Sequence, residues 1–408
     1  MPVQPVPYLT LDHEIEMQIR ADRARHWVNP LAFEDACIIR RDDNPHDRAT
    51  ISRPACARDI EKLINIPAYN RYSDKTQVFS FVENDDICRR GLHVQLVSRI
   101  ARGIGDLLGL NTQLSEAIAL GHDRGHTPCG HAGDRYLSKL LEEHTGRYFH
   151  HNVQSVRVMD RLYRRNISLQ TLDGAICHNG EFACQVLELG TTKTFDDLDA
   201  MVQLCTTEAH AGKTIRPSTL EGCVVRVSDM IAYLGKDRDD ARDIGVIDSL
   251  DMFDSKFIGR SNSQIINNMT CDIVNNSYGQ DRISMSAEAF EDLVVAKRQN
   301  NEIIYMKEGM IDEYDNIVED MFGQMYEKLL EDIVAGNEDS PAFKHHVDWL
   351  CTKSQSITPE EYLSEDANDI VVDYISSMTD SYFMALYRHL FPESKLHIIS
   401  RDYCADLK

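Results

Sequence analysis

From Leu92 onward, apolar residues recur at three- and four-residue spacing and alternating apolar–polar runs are scarce, which commits the chain to helices rather than sheet. Leu92, Leu96, Ile100, Ile104, Leu107 and Leu108 form one such stripe, and Gly109 is placed to end that helix. Asn111 and Thr112 can cap a second helix reaching about His122, because their side chains accept from N–H groups that a first turn leaves unpaired. The same spacing predicts a third helix from near Asp134, a fourth over 152–165 and a fifth over 219–241. Beyond these it predicts a long acidic helix over 301–334, one near His345 and one over 366–390, with LHIIS (396–400) as the only strand. Residues 1–70 are mixed, with Pro- and Asp-rich turns.

The 408 residues carry 43 Lys and Arg against 66 Asp and Glu, a net charge of −23, which argues against duplex DNA or an anionic membrane as the default partner. Eleven cysteines include no C-x-x-C pair, so neither a disulfide framework nor a zinc ribbon is indicated, and a reducing cytoplasm is expected. The N-terminus lacks a basic region followed by an apolar stretch, and no segment approaches the roughly 18 apolar residues of a membrane span. Neither export nor membrane insertion is expected.

Eight of the sixteen histidines fall between His93 and His178, a concentration that asks for a metal or for acid–base chemistry. Its centre is GHDRGHTPCGHAGD (121–134), where His122 and Asp123 are adjacent at a helix end and glycines break the rest of the segment into tight turns. An imidazole beside a carboxylate suits a hard or borderline divalent ion such as Mn2+, Mg2+, Fe2+ or Co2+. Upstream, CRRGLHVQLVSRIAR puts His93 near a helix start. Downstream, VVRVSDMIAYLGKDRDDA puts Asp229 in mid-helix among apolar neighbours, where a carboxylate needs a partner. Asp229, Tyr233 and Asp237 follow at four-residue intervals and share one helix face, whereas Asp239, Asp240 and Asp243 read as a solvated acidic face. His144 and His150 read as surface turn residues, Cys129 as a small packing residue, and His178 either lines the cleft or ends a helix.

These blocks resemble the HD-domain deoxynucleoside triphosphate triphosphohydrolases, the bacterial dGTPases and their vertebrate relatives. The resemblance covers KTQVF (75–79), RGLHVQLVSRIAR, the GLN…EAIALGHDRGHTPCGHAGD block, FHHNVQSVRV, TLDGAICHNGE and RVSDMIAYLGKDRDDA, roughly residues 50 to 245. It implies an all-α HD-domain helical core with N- and C-terminal helical extensions and very little strand. The expected division is an N-terminal segment 1–49, a phosphohydrolase core 50–290 and a C-terminal helical region 291–408.

The resemblance implies that His93, His122, Asp123 and Asp229 hold one divalent metal, Mn2+ or Mg2+ first, with Fe2+, Co2+ or Zn2+ as alternatives. A cation would neutralise phosphate charge and lower the pKa of bound water, so a polyanion could be attacked within an acidic protein. It implies catalytic roles for His131, oriented by Asp134 where the family usually has Glu, and for His151 near the leaving 5′-oxygen. Arg90 and His126 fall at phosphate-contact positions, and Arg suits such a role through its planar fork. Gln77, Tyr233 and Asp237 fall where relatives recognise deoxyribose and its 3′-hydroxyl, and Val78 where a 2′-hydroxyl would be crowded. Met230 stands where some relatives carry a basic phosphate contact, and Lys236 and Arg124 are candidates to replace it.

The function implied is metal-dependent hydrolysis of a dNTP, dGTP foremost, to a deoxynucleoside and triphosphate. Two rivals stand beside it: an HD nucleotidase or phosphodiesterase acting on other nucleotides, and a catalytically weak regulatory module that binds dNTPs. The resemblance further implies a homo-oligomer, as dimer, tetramer or hexamer, and regulation by an allosteric nucleotide or single-stranded DNA.

Overall fold

The helix buried on every side is the one at the centre. In the computed structural model, which describes residues 6–179, 183–306, 312–354 and 357–398, the chain begins with α1 (His13–Ala24) and α2 (Ala55–Asn65). Then come α3 (Arg90–Leu108), α4 (Thr112–Gly121), α5 (Gly130–Thr145), α6 (His151–Arg157), α7 (Leu169–Ile176) and α8 (Phe195–Thr207). Next are α9 (Leu220–Asp243), α10 (Asn262–Ser277), α11 (Ala287–Asn300) and α12 (Asp312–Val334). The last are α13 (Asp348–Ser354), α14 (Pro359–Tyr362), α15 (Ala367–Ser377) and α16 (Asp380–Leu390). Among the described residues the only sheet is a two-residue antiparallel pair, β1 (Val186–Leu187) with β2 (Ile283–Ser284). The fold is all-α.

α9 buries residues around its whole circumference and packs against α3, α4, α7, α10 and α11. α3 turns Val94, Val97, Ile100, Ala101, Ile104 and Leu108 inward, each buried Val, Ile or Leu side chain contributing about 1.5–3 kcal/mol. Gly109 ends α3 in the left-handed conformation at φ 70°, and Asn111 Oδ1 accepts from the N–H groups of Gln113 and Leu114 to start α4. A second apolar core lies between α5, α6, α7, α8, α12, α15 and α16, so the C-terminal helices cover the far side of α5. The N-terminal segment lies along α10, where Leu9 N–H donates to Asn268 Oδ1 at 2.8 Å.

Several expected boundaries move. α5 begins at Gly130, four residues before Asp134, because the glycines that read as turn formers also open the helix. The helix expected over 152–165 is α6 followed by a wider turn over Val158–Leu162. A similar turn, Asn301–Tyr305, continues α11, and α12 starts only at Asp312, with 307–311 outside the described residues. The helix expected over 366–390 breaks at Met378 and Thr379, where Thr379 caps α16. Of the expected LHIIS strand, Leu396, His397 and Ile398 lie in irregular chain with Ile398 buried, and 399–400 fall outside the described residues. Asp240 is not on a solvated face either, since it is buried, paired with Lys236 at 2.6 Å and accepting from Cys88 N–H. No helix among the described residues is long and apolar enough to cross a membrane.

Candidate metal centre and active site

Three helices and one turn bring the histidines together. α3 supplies His93 from its first turn, the end of α4 supplies His122 and Asp123, and α9 supplies Asp229. His93 Nε2 lies 3.0 Å from Asp229 Oδ1 and 3.6 Å from Asp123 Oδ2, while His122 Nε2 lies 3.3 Å from Asp123 Oδ1 and 3.8 Å from Asp229 Oδ1. All four residues are buried.

The tautomer of His122 shows what this arrangement suits. Its Nδ1 is 2.7 Å from the Ala119 carbonyl oxygen, which can only accept, so Nδ1 carries the proton and a neutral ring leaves Nε2 as a bare lone pair. That Nε2 is buried without a hydrogen-bond partner and faces two carboxylates. Lone pair against carboxylate is repulsive unless a cation lies between them, and the carbonyl behind His122 is the usual support of a metal-ligating imidazole. The residues fit a divalent ion held by mixed nitrogen and oxygen donors. Burial works against a charged His93, but Asp229 and Asp123 outweigh it and hold the imidazole above its ordinary value.

Next to this centre lies a second cluster. Asp134 Oδ2 is 2.7 Å from His126 Nδ1, 3.1 Å from His151 Nδ1 and 3.6 Å from His131 Nδ1. The rings of His126 and His151 stack at 3.7 Å between centroids. Burial pushes the Asp134 carboxyl up, yet the surrounding imidazoles hold it well below the usual carboxylate range. Burial, with Arg90 nearby, pushes His126 down to about 4, so that ring is neutral at physiological pH. His131 is the exposed member, with 57% of its side-chain surface open.

The turn that carries these groups is shaped by close approach. A Cβ on Gly125 would lie 2.1 Å from the His151 carbonyl oxygen, so only glycine lets the turn meet α6. Cys129, at φ 62°, is pinned from the C-terminal region by Asp380 Oδ1, which accepts its N–H at 3.0 Å, and the Asp380 carboxylate also accepts from Thr76 N–H.

Arg90 is buried, with Nη1 2.5 Å from Asp123 Oδ2 and with Nε and Nη2 lacking a protein partner. Gln77 is half-buried beside Gly130, its Oε1 without a partner. Asp237 receives the Tyr305 hydroxyl at 2.5 Å, and its Oδ1 has no partner. Val78 and Tyr305 flank the same small apolar cluster, and Tyr233 lies one turn before Asp237 on α9. Two basic candidates are absent from this group. Lys236 is held by Asp240, and Arg124 turns away to donate to the Leu63 carbonyl at 2.6 Å. Met230 is buried in the α9 core. His144 lies at the surface against Glu327, and His150 is half-buried.

Two residues of the site lie beyond the set expected from sequence. His178, for which a cleft position and a plain helix end were equally open, does both: it ends α7 and reaches the centre, with Nδ1 at the Ala175 carbonyl, Nε2 3.6 Å from Asp123 Oδ1 and 3.2 Å from His151 Nε2. Its place in CHNGE was the available signal. Tyr305 arrives from a turn 68 residues beyond Asp237 and carried none.

Residues 90–234 match the HD domain family. The chain is 33% identical over 343 residues to the deoxyguanosinetriphosphate triphosphohydrolase-like protein of Caldanaerobacter subterraneus subsp. tengcongensis, covering 82% of this chain and 84% of that protein. It is 30% identical over 360 residues to the protein of the same name from Desulfatibacillum aliphaticivorans, covering 83% and 88%. Against the one from Wolinella succinogenes it is 37% identical over 222 residues, covering 52% and 56%. With the metal-type centre built from the HD-domain segment and relatives matched over most of their length, the chain belongs to the family of deoxyguanosinetriphosphate triphosphohydrolase-like HD-domain proteins.

Proposed function

We propose that the protein hydrolyses a deoxynucleoside triphosphate, dGTP foremost, to a deoxynucleoside and inorganic triphosphate. The observation that carries this reading is the convergence of His93, His122, Asp123 and Asp229 beside the histidines gathered on Asp134. A divalent cation held by that quartet, Mn2+ or Mg2+ first, would supply charge neutralisation for the phosphates and a lowered pKa for water.

In the reaction a water oxygen bonds to the α-phosphorus, the bond from that phosphorus to the 5′-oxygen breaks, and the 5′-oxygen takes up a proton. Asp134 holds the neighbouring imidazoles in position, and the exposed ring of His131 is the candidate proton donor, with His151 behind it. Arg90 offers phosphate oxygens the N–H groups of Nε and Nη2, which it does not spend within the protein, and His126 lies beside it. Gln77 Oε1 and Asp237 Oδ1 are buried acceptors without partners, which suits a deoxyribose hydroxyl, with Tyr233 alongside and Val78 against C2′.

The test is to incubate the purified protein with each dNTP and NTP, with Mn2+, Mg2+ or EDTA, and to identify products by chromatography. Deoxynucleoside and triphosphate from dNTPs alone, lost with EDTA, support the reading. Monophosphate products would replace it with a nucleotidase or phosphodiesterase, and binding without product would replace it with a regulatory module.

A further inference from the structure

Behind the glycine-rich turn lies a cluster of cations that the proposed reaction does not use. Arg71, Tyr72, Lys75, Arg124, Trp349 and Asp373 line a cavity offering about 30 Å³ to the centres of water-sized atoms. At roughly 10–15 Å³ for each oxygen-sized occupant, this is room for two or three oxygens, so a nucleotide is excluded and a four-oxygen ion places its remaining oxygens at the open mouth. Arg71 and Trp349 are half-exposed, whereas Tyr72, Lys75 and Arg124 are buried, so the cavity opens at the Arg71 side.

Charge here is unbalanced. Arg71 donates to the Ser377 carbonyl at 2.8 Å and lies over the Trp349 ring at 4.6 Å. Arg124 donates one N–H to Leu63 and packs over the rings of Tyr69 and Tyr72, leaving Nε and Nη1 buried with no protein partner. Lys75 donates to the carbonyls of His126 and Ser376. No carboxylate among the described residues pairs with any of the three, and since burial pushes Lys75 down to about 7, the unbalanced charge rests on Arg71 and Arg124. Asp373, the one acid in the lining, is already matched by Arg157 at 2.7 Å and also accepts from Gln154 and Tyr362. His346 brings no charge, because burial pushes it down to about 3. Water can satisfy spare N–H groups, but it does not balance a buried cation, whose uncompensated burial costs several kcal/mol. The Tyr72 hydroxyl is a further buried polar group without a partner.

We infer that this cavity is a binding site for a small tetrahedral oxyanion of the phosphate class, held by the guanidinium groups of Arg71 and Arg124 and the Tyr72 hydroxyl, and separate from the metal centre. Two neighbours couple it to the active-site turn. Arg124 lies between Asp123 and Gly125 in the chain, and the Lys75 ammonium is on the His126 carbonyl. Occupancy then braces the turn that carries the histidines.

The inference is independent of the substrate, so its test uses the full-length, EDTA-treated protein and inorganic phosphate measured by titration calorimetry. One phosphate per chain is expected, with affinity at least tenfold weaker in Arg71→Gln and unchanged within twofold in His122→Ala. Loss of binding in His122→Ala with retention in Arg71→Gln would assign the phosphate to the metal centre and overturn the inference, as would absence of binding in the parent protein. Anomalous scattering from selenate-soaked crystals supplies a reading that needs no variant. A selenium peak among Arg71, Tyr72 and Arg124 supports the site, and a bromide peak there without selenate refutes the oxyanion class.

Discussion

Asp134 Oδ2 lies 2.7 Å from Nδ1 of His126, and the same oxygen also faces His131 and His151. The carboxylate is therefore a hub, and its aspartate length reaches three rings. Asp134→Asn keeps the shape and removes the charge. It is expected to lower kcat by about 10²- to 10⁴-fold while Mn2+ content and nucleotide KM change little. Asp134→Glu should stay within about tenfold of the parent, and a KM-only effect of Asp134→Asn would show that the hub does not serve the chemical step.

Removing a ligand should separate the quartet from bystander histidines. His122→Ala and Asp229→Ala are expected to lose bound Mn2+ in elemental analysis and to lose turnover, whereas His144→Ala, at the surface against Glu327, keeps both. Normal turnover by metal-loaded Asp229→Ala would refute the ligand assignment.

Asp237 gives a pH signature. Burial raises its carboxyl to about 7, against a lowering contribution from the Tyr305 hydroxyl. With the folded value above the unfolded one, near 3.9, the folded state binds more protons between these limits. Stability from this group is thus complete below pH 4 and lost as pH rises through 7, by about 4 kcal/mol at most. Metal-free Asp237→Asn should therefore match the parent Tm near pH 4.5 and exceed it at pH 8. Parallel Tm curves for the two proteins would contradict the shift.

Two glycines make an opposed pair. A Cβ on Gly125 meets the His151 carbonyl oxygen at 2.1 Å and Ser155 N at 2.5 Å, so Gly125→Ala must push the turn off α6, at a cost of about 3 kcal/mol or more. Gly103, inside α3, has nothing within 4 Å of the added methyl, and Gly103→Ala should stabilise the helix by about 0.5–1 kcal/mol. Thermal unfolding of the two variants checks the signs.

The parts of this molecule that the sequence made legible are those written in local patterns. The α3 stripe, its stop at Gly109 and the Asn111 cap depend on residues within a few positions of one another. His122 and Asp123 are adjacent, and His93 and Asp229 stood out on helices with regular apolar spacing. The rest depends on long-range packing. The wider turns at Val158–Leu162 and Asn301–Tyr305 leave no periodic trace, and the burial of Asp240 follows from Lys236 and the Cys88 amide rather than from its own neighbourhood of acids. Tyr305 reaches Asp237, and Asp380 reaches the glycine turn, across 68 and 251 residues. The LHIIS run has strand composition but no partner edge among the described residues, and Ile398 is buried without one.

The bond that breaks is the centre of the functional reading, and oxygen labelling reports it directly. Hydrolysis of dGTP in 18O-water with Mn2+ should give unlabelled deoxyguanosine and triphosphate carrying one 18O, by mass spectrometry, because water attacks the α-phosphorus. Release of dGMP with pyrophosphate, or of orthophosphate, would contradict that reading.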